Sequence, residues 1–190
     1  DIKPIIKNGK RHKILADMIG QDIADTLVLG PFRSYFSRWF TGSEVERILE
    51  YETSNTFVVR EFHPLPGPGS PALVVFDGHE FSDNSIISIE NFAKKFGCDI
   101  ELLYLGKEVL DTKFIDSLVA TLRERLGEKH HITSTIQSHS FFKSRKSITN
   151  SVIDSEGARI VVLPDISHLV SEFLLHEVVL GTSVPVCLLR

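Results

Sequence analysis

The sequence predicts an α/β fold, a parallel sheet with helices on both faces. Three observations carry this reading. Strand-like and helix-like segments alternate from residue 71 to the carboxyl end, and parallel strands need such crossovers. The strands are continuous apolar runs, "ALVVFDG" at Ala72–Gly78 being the clearest, as expected where both faces of a sheet are buried. The segments between them carry apolar residues at helical spacing.

In chain order, "KPIIKNG" (Lys3–Gly9) is expected to form a strand. "HKILADMIGQDI" reads as a helix with Ile14, Leu15, Met18 and Ile19 on one side. "ADTLVLG" is a strand, a polar and aromatic loop follows, and "NTFVVREF" is a further strand. "FHPLPGPGSP" (Phe62–Pro71) then brings four prolines and two glycines, which stiffen the backbone and withhold amide donors. This marks a boundary, with one unit at residues 1–62, a linker at 63–70 and a second unit at 71–190. The second unit opens with the "ALVVFDG" strand. In "NSIISIENFAKKFG" Ile86, Ile89, Ala93 and Phe96 share a stripe, and Gly97 supplies a stop. Strand "DIELLYLG" comes next, then helix "DTKFIDSLVATLRERLG" with Phe114, Leu118 and Leu122 in register, and strand "HITSTIQ". A weaker helix around Ser144–Asp154, strand "RIVVLP", a helix at about Ser167–Leu180 and strand "VPVCLLR" complete the chain.

The first unit reads as only the later half of such a domain. Its end, "ADTLVLG...ERILEYETSNTFVVR", parallels "ARIVVLP...HEVVLGTSVPVCLLR" in order and apolar placement, an internal repeat. Ala24 and Arg60 are 36 residues apart, whereas Ala158 and Arg190 are 32 apart, so the first copy carries four extra residues in its loop.

The 190 residues suffice for a substantial core, with 42% hydrophobic and 24% charged residues. A formal net charge of -4 argues against a dedicated nucleic-acid binder. The basic runs "KNGKRHK" (Lys7–Lys13) and "FFKSRKS" (Phe141–Ser147) read as solvated faces able to touch a phosphate backbone. Cys98 and Cys187 have neither metal nor redox-pair spacing and are expected to be reduced core residues of a cytoplasmic protein. No apolar run approaches the ~20 residues that span a bilayer, and no signal peptide opens the sequence. Starting at Asp1 without methionine, the chain reads as a fragment or processed product whose parent could be membrane-attached.

The arrangement resembles the universal stress protein family in tandem form, across almost the whole chain. The resemblance implies a Rossmann-like, adenine nucleotide alpha hydrolase-like fold. In that family an aspartate ending an early strand contacts adenine, and a late loop of the form G-x2-G-x9-G-[ST] binds ribose and phosphates. Some members bind nucleotide and others do not. Carried onto this sequence, the first unit offers Gly30, then Arg33 where the second glycine belongs, then Gly42-Ser43 after eight intervening residues instead of nine. Glycines serve such loops because backbone amides must come close to phosphate oxygens. Arg33 either bonds phosphate through its charge or fills the cleft. Ser43 and Glu46 also form an S-x-x-E capping box, which needs no ligand. Phe36, Trp39 and Phe40 crowd the same loop and read as packing anchors.

In the second unit Asp77-Gly78 matches the early aspartate, as a residual adenine contact or as a simple turn. Its late loop, "LPDISHLVSEF", has no glycine. Each unit therefore displays one half of the family's site, and halves from different repeats are not expected to converge. ATP with magnesium is the cofactor the resemblance allows. No metal is assigned to His130, His131, His139, His168 or His176, which lack ligand spacing. "GHEFSDNS" lacks the G-x-S-x-G elbow of a hydrolase, and no catalytic residue is assigned.

The expected function is thus a non-catalytic stress-response or regulatory protein acting through assembly, with weak nucleotide sensing. The alternatives are an ATP-binding protein with slow hydrolysis, supported by Arg33, Gly42 and Ser43, and the cytosolic tail of a membrane ion transporter, since related domains occur fused to exchangers. The two final strands, "NTFVVREF" and "VPVCLLR", are expected to pair antiparallel within one chain, and an uncovered edge is expected to draw in a second copy as a homodimer.

Overall fold

The computed structural model describes residues 5–21, 26–30, 55–59, 69–76, 81–104, 112–136, 158–164, 178, 182 and 184–189. These form three helices, α1 (Arg11–Gly20), α2 (Asp83–Phe96) and α3 (Thr112–Leu126). They also form seven strands: β1 (Thr26–Leu29), β2 (Asn55–Val58), β3 (Pro71–Phe76), β4 (Asp99–Tyr104), β5 (Ile132–Ile136), β6 (Ile160–Pro164) and β7 (Val186–Leu189). All seven lie in one sheet, in the order β1-β2-β7-β6-β3-β4-β5.

Every neighbouring pair but one is parallel. The exception is β2 against β7, antiparallel with Thr56 opposite Leu188, Phe57 opposite Cys187 and Val58 opposite Val186. This is the pairing of the two final strands that the sequence led us to expect. The five strands read from β5 to β7 follow the order 3-2-1-4-5 when numbered from β3, the doubly wound arrangement whose winding reverses between β3 and β6.

The apolar runs of β3, β4, β6 and β7 arise because both sheet faces are covered. Alternate residues enter two cores. One face carries Leu29, Val58, Leu73, Val75, Leu103, Val161, Leu163, Val186 and Leu188, with Leu15 of α1 packed on it. The other carries Val74, Ile100, Leu102, Ile160, Val162 and Cys187 under α2 and α3. The predicted stripes are present with a shift. On α2 the buried apolar residues are Ile89, Phe92 and Ala93, with Ile86 and Phe96 half-buried. On α3 Ile115, Val119 and Leu126 join Leu118 and Leu122, while Phe114 packs at the margin.

The ends of α2 are chemically defined. The Ser82 hydroxyl accepts a hydrogen bond from the Ser85 amide at 3.1 Å, satisfying a donor that the helix itself leaves open. Gly97 stops the helix at φ +60°, a left-handed conformation that costs glycine least. On the solvent side Glu90 joins α2 to α3, bonding Lys94 at 2.6 Å and Arg125 at 3.4 Å. The Lys94 bond, aided by Arg125 and opposed by partial desolvation, lowers the Glu90 pKa below the ordinary carboxylate value.

One expected element is absent. Residues 5–10 of "KPIIKNG" and its continuation are not a strand. Asn8-Gly9 turns the chain there, with Gly9 at φ +148°, and a Cβ at Gly9 would stand 3.3 Å from Ile14 Cδ1. Ile5 and Ile6, which suggested the strand, lie in solvent instead, 58% and 92% exposed. The helix expected around Ser144–Asp154 and most of that at Ser167–Leu180 fall outside the described residues. Gly69, at φ +72°, and Ser70 are the described part of the linker, and Pro71 opens β3, a position where a strand tolerates a missing amide donor.

Val58 and Leu188 are buried on one face of the β2–β7 junction. Val58→Asp or Leu188→Asp places an unpaired carboxylate there, and each should lower the unfolding free energy in urea by more than about 3 kcal/mol. The double variant should lose less than the sum, because either charge alone already opens the shared junction.

Candidate functional site

In doubly wound sheets ligands enter at the carboxyl ends of the strands, beside the reversal of winding. Two places in this chain meet parts of that description. The first is the end of β1, where Gly30 follows Leu29. The Val59 amide donates to the Leu29 carbonyl at 2.8 Å, so the ladder between β1 and β2 runs up to the residue before Gly30. Gly30 has φ +125°, a region that side-chain-bearing residues rarely adopt, so the chain leaves the strand through a bend that glycine alone makes without strain. Arg33, Gly42 and Ser43 lie outside the described residues.

The second place is the mouth between β3 and β6. Phe76 ends β3 and Pro164 ends β6. Asp77 and Gly78 directly follow Phe76 but lie outside the described residues, as does the glycine-free loop after Pro164. The described part of this mouth is aromatic. Phe76 lies 5.2 Å, centroid to centroid, from Phe81 at the entry to α2, 5.6 Å from Tyr104 at the end of β4, and 6.5 Å from Phe114 in the first turn of α3. Tilted contacts of this kind set ring edges against ring faces and favour a packed cluster. Phe76 and Tyr104 are essentially fully buried. The sequence reading did not single out these four rings. Their signal was an aromatic residue closing a strand and another opening the following helix, repeated twice.

The strand directions fix the relation between the two places. β1 runs with β2, β2 runs against β7, and β7 runs with β6 and β3. The carboxyl end of β1 therefore lies on the opposite edge of the sheet from that of β3. Four strand spacings of about 4.8 Å also separate them sideways, or roughly 19 Å. Gly30 and the segment that begins after Phe76 thus open on opposite edges of the molecule.

This geometry tests the fit of an adenine nucleotide. β6 has β7 on one side and β3 on the other, and these walls make a crevice. β1 holds the equivalent place beside β2 but, among the described residues, has no strand on its outer side. The end with the glycine bend lacks a second wall, and the end with two walls is lined by aromatic rings. The described residues do not assemble a complete nucleotide site at either edge.

Among the described residues the remaining candidate groups serve the fold; His139, His168 and His176 lie outside them. Cys98 and Cys187 are free and buried. Burial pushes the Cys98 thiol up to about 11 and the Cys187 thiol higher still, so both stay protonated at neutral pH and are poor nucleophiles. His130 Nδ1 lies 2.8 Å from the Cys98 carbonyl oxygen, and the His131 amide donates to Asp99 Oδ1 at 2.8 Å, tying the start of β5 to that of β4. Among the described residues no group of His, Cys, Asp or Glu stands in a metal-binding arrangement. No described helix is long and apolar enough to cross a membrane.

Comparison with solved structures identifies the architecture. A universal stress protein from Archaeoglobus fulgidus superimposes with a TM-score of 0.64 at 14% identity, over 93% of this chain and 64% of that one. The fold is that of universal stress proteins. A provisionally assigned universal stress protein from Pseudomonas aeruginosa gives a TM-score of 0.60 at 13% identity, covering 96% of this chain and 69% of its own. A functionally unknown protein from the same organism gives 0.56 at 12% identity, covering 96% and 68%. This chain thus spans about two thirds of the length of these three structures. No family model and no curated relative matches the sequence.

In native buffer at neutral pH, Cys98 and Cys187 should react with a disulfide reagent only slowly. Adding denaturant should bring both to the rate of a free thiol, as followed by thiolate absorbance.

Proposed function

We propose that this chain is a non-catalytic regulatory protein of the tandem universal-stress type, working in the cytoplasm through assembly. The observation that carries the reading is the antiparallel β2–β7 junction. It places the pair β1–β2 and the pair β6–β7 back to back about a local two-fold, as two copies of one half-domain would lie. The opposite edges of Gly30 and Phe76 add to it, since half-sites so placed serve no common ligand. Two buried, protonated thiols suit a reducing compartment.

The outer side of β1 is the surface we assign to assembly. Thr26–Leu29 holds no charge and no proline to discourage pairing, and Val28 is 62% exposed. A second copy pairing there would bury Val28 and give a homodimer. Val28→Lys should then shift the molar mass in light scattering from dimer to monomer while leaving the circular dichroism spectrum unchanged. A wild-type monomer at micromolar concentration rejects the assembly.

A second reading, an ATP-binding protein with slow hydrolysis, draws on the positive φ of Gly30 together with Arg33, Gly42 and Ser43. Equilibrium dialysis with ATP and magnesium separates the two. The regulatory reading expects no saturable micromolar binding and no phosphate release above buffer. It further expects Ser43→Ala to cost on the order of 1 kcal/mol as a lost helix cap and Arg33→Ala to be nearly silent. An ATP-dependent rise in melting temperature that Arg33→Ala or Gly30→Val abolishes would decide for the nucleotide.

A further inference from the structure

The amino-terminal arm and the start of α1 carry features that neither the fold nor the proposed assembly uses. From Ile2 to Ala16 the sequence contains Lys3, Lys7, Lys10, Arg11 and Lys13 and no carboxylate, in a chain whose formal net charge is -4. Lys7, Lys10 and Lys13 are exposed, and among the described residues no carboxylate lies within salt-bridge distance of them. Beside these charges stand Ile5 and Ile6, 58% and 92% exposed, aliphatic side chains unprotected from water. The arm is set at a fixed angle to α1, because Gly9 turns it against Ile14, while the Lys13 and Ile14 amides bond the Lys10 carbonyl at 3.1 Å. Positive charge at this end of a helix is unfavourable to the helix itself, and α1 has neither an acidic residue in its first turn nor a side-chain cap to offset it. The local sequence therefore works against the local structure, which calls for a reason outside the folded chain.

We propose that the segment Ile5–Lys13 docks on an anionic lipid surface, with Lys7, Lys10 and Lys13 at the headgroup charges and Ile5 and Ile6 inserted at the headgroup boundary. The pairing of exposed cations with exposed aliphatic side chains fits this surface, since each lysine gains from anionic lipid and each isoleucine from leaving water. A nucleic-acid backbone would use the lysines but offers no apolar phase to Ile5 and Ile6, and the segment has no Phe, Tyr or Trp to stack on a base. The proposal is independent of the assembly and nucleotide readings, because α1 and its arm belong to neither strand edge.

Co-sedimentation of the full chain with vesicles tests it. One set is phosphatidylcholine alone, and in the other a third of that lipid is replaced by phosphatidylglycerol. The chain should partition onto the anionic vesicles only. Binding should fall as salt rises from about 0.1 M to about 1 M, over which the screening length shrinks from about 10 Å to about 3 Å. Lys7→Gln/Lys10→Gln/Lys13→Gln should weaken it about a hundredfold, at about fivefold per charge. Ile5→Ser/Ile6→Ser keeps every charge and should still weaken binding by at least about tenfold. All five positions are exposed, so an unchanged melting temperature confirms that the variants are folded. Equal partition onto neutral vesicles, no partition onto anionic ones, an isoleucine variant that binds like the wild type, or tighter binding to a nucleic acid than to the anionic vesicles would each overturn the proposal.

Discussion

The rest of the structure depends on one antiparallel contact, between β2 and β7. A sheet made only of parallel pairs has a single sense, and every strand presents its carboxyl end to the same edge. Here Thr56, Phe57 and Val58 run against Leu188, Cys187 and Val186, and the sense of the sheet reverses once. The contact also joins the cores. Val58 and Val186 lie in one apolar layer and Phe57 and Cys187 in the other, so both layers cross the junction without a break. Phe57 reaches beyond its own strand to rings of α2, 6.4 Å from Phe92 and 6.2 Å from Phe96, so α2 covers part of β2. A four-residue strand has little stability of its own, and β2 acquires it from this shared burial.

That reversal also governs what a binding site here can be. Gly30 has the backbone conformation of a loop that lets a ligand come close, and the mouth at Phe76 has two walls. Because the sheet changes sense between them, neither place lends the other its missing part. The aromatic quartet of Phe76, Phe81, Tyr104 and Phe114 makes the second mouth a packing site, where α2 and α3 enter the structure.

The strands from β3 onward were legible in the sequence for a simple reason. Where both faces of a strand are buried, the whole run must be apolar, and Ala72–Phe76 and Ile160–Leu163 carry little else. The Gly97 stop was legible because a left-handed residue leaves few choices. "KPIIKNG" misled because two adjacent isoleucines look alike whether a sheet or solvent receives them, and no local pattern reports a neighbouring strand. The Ser82 cap and the aromatic quartet went unread for different reasons. The cap is one hydroxyl among several in "FSDNS", and the quartet unites residues that are distant in sequence and meet only when β3 and β4 pair. Of the candidate site, Gly30 has the positive φ that suits a glycine, whereas the opposite edges followed only from strand direction, which apolar pattern does not encode.

The junction also sets an order of events in the life of the chain. β7 lies on the order of 130 residues beyond its partner β2, so β2 cannot pair until that much more of the polypeptide has emerged from the ribosome. During synthesis β3, β4 and β6 can begin to pair, while β1 and β2 remain a short apolar ribbon with nothing to lie on. That interval is when chaperones have the most to hold and when neighbouring nascent chains can most readily cross-pair. A ribosome that stalls before Val186 therefore releases a product with β1 and β2 unmoored.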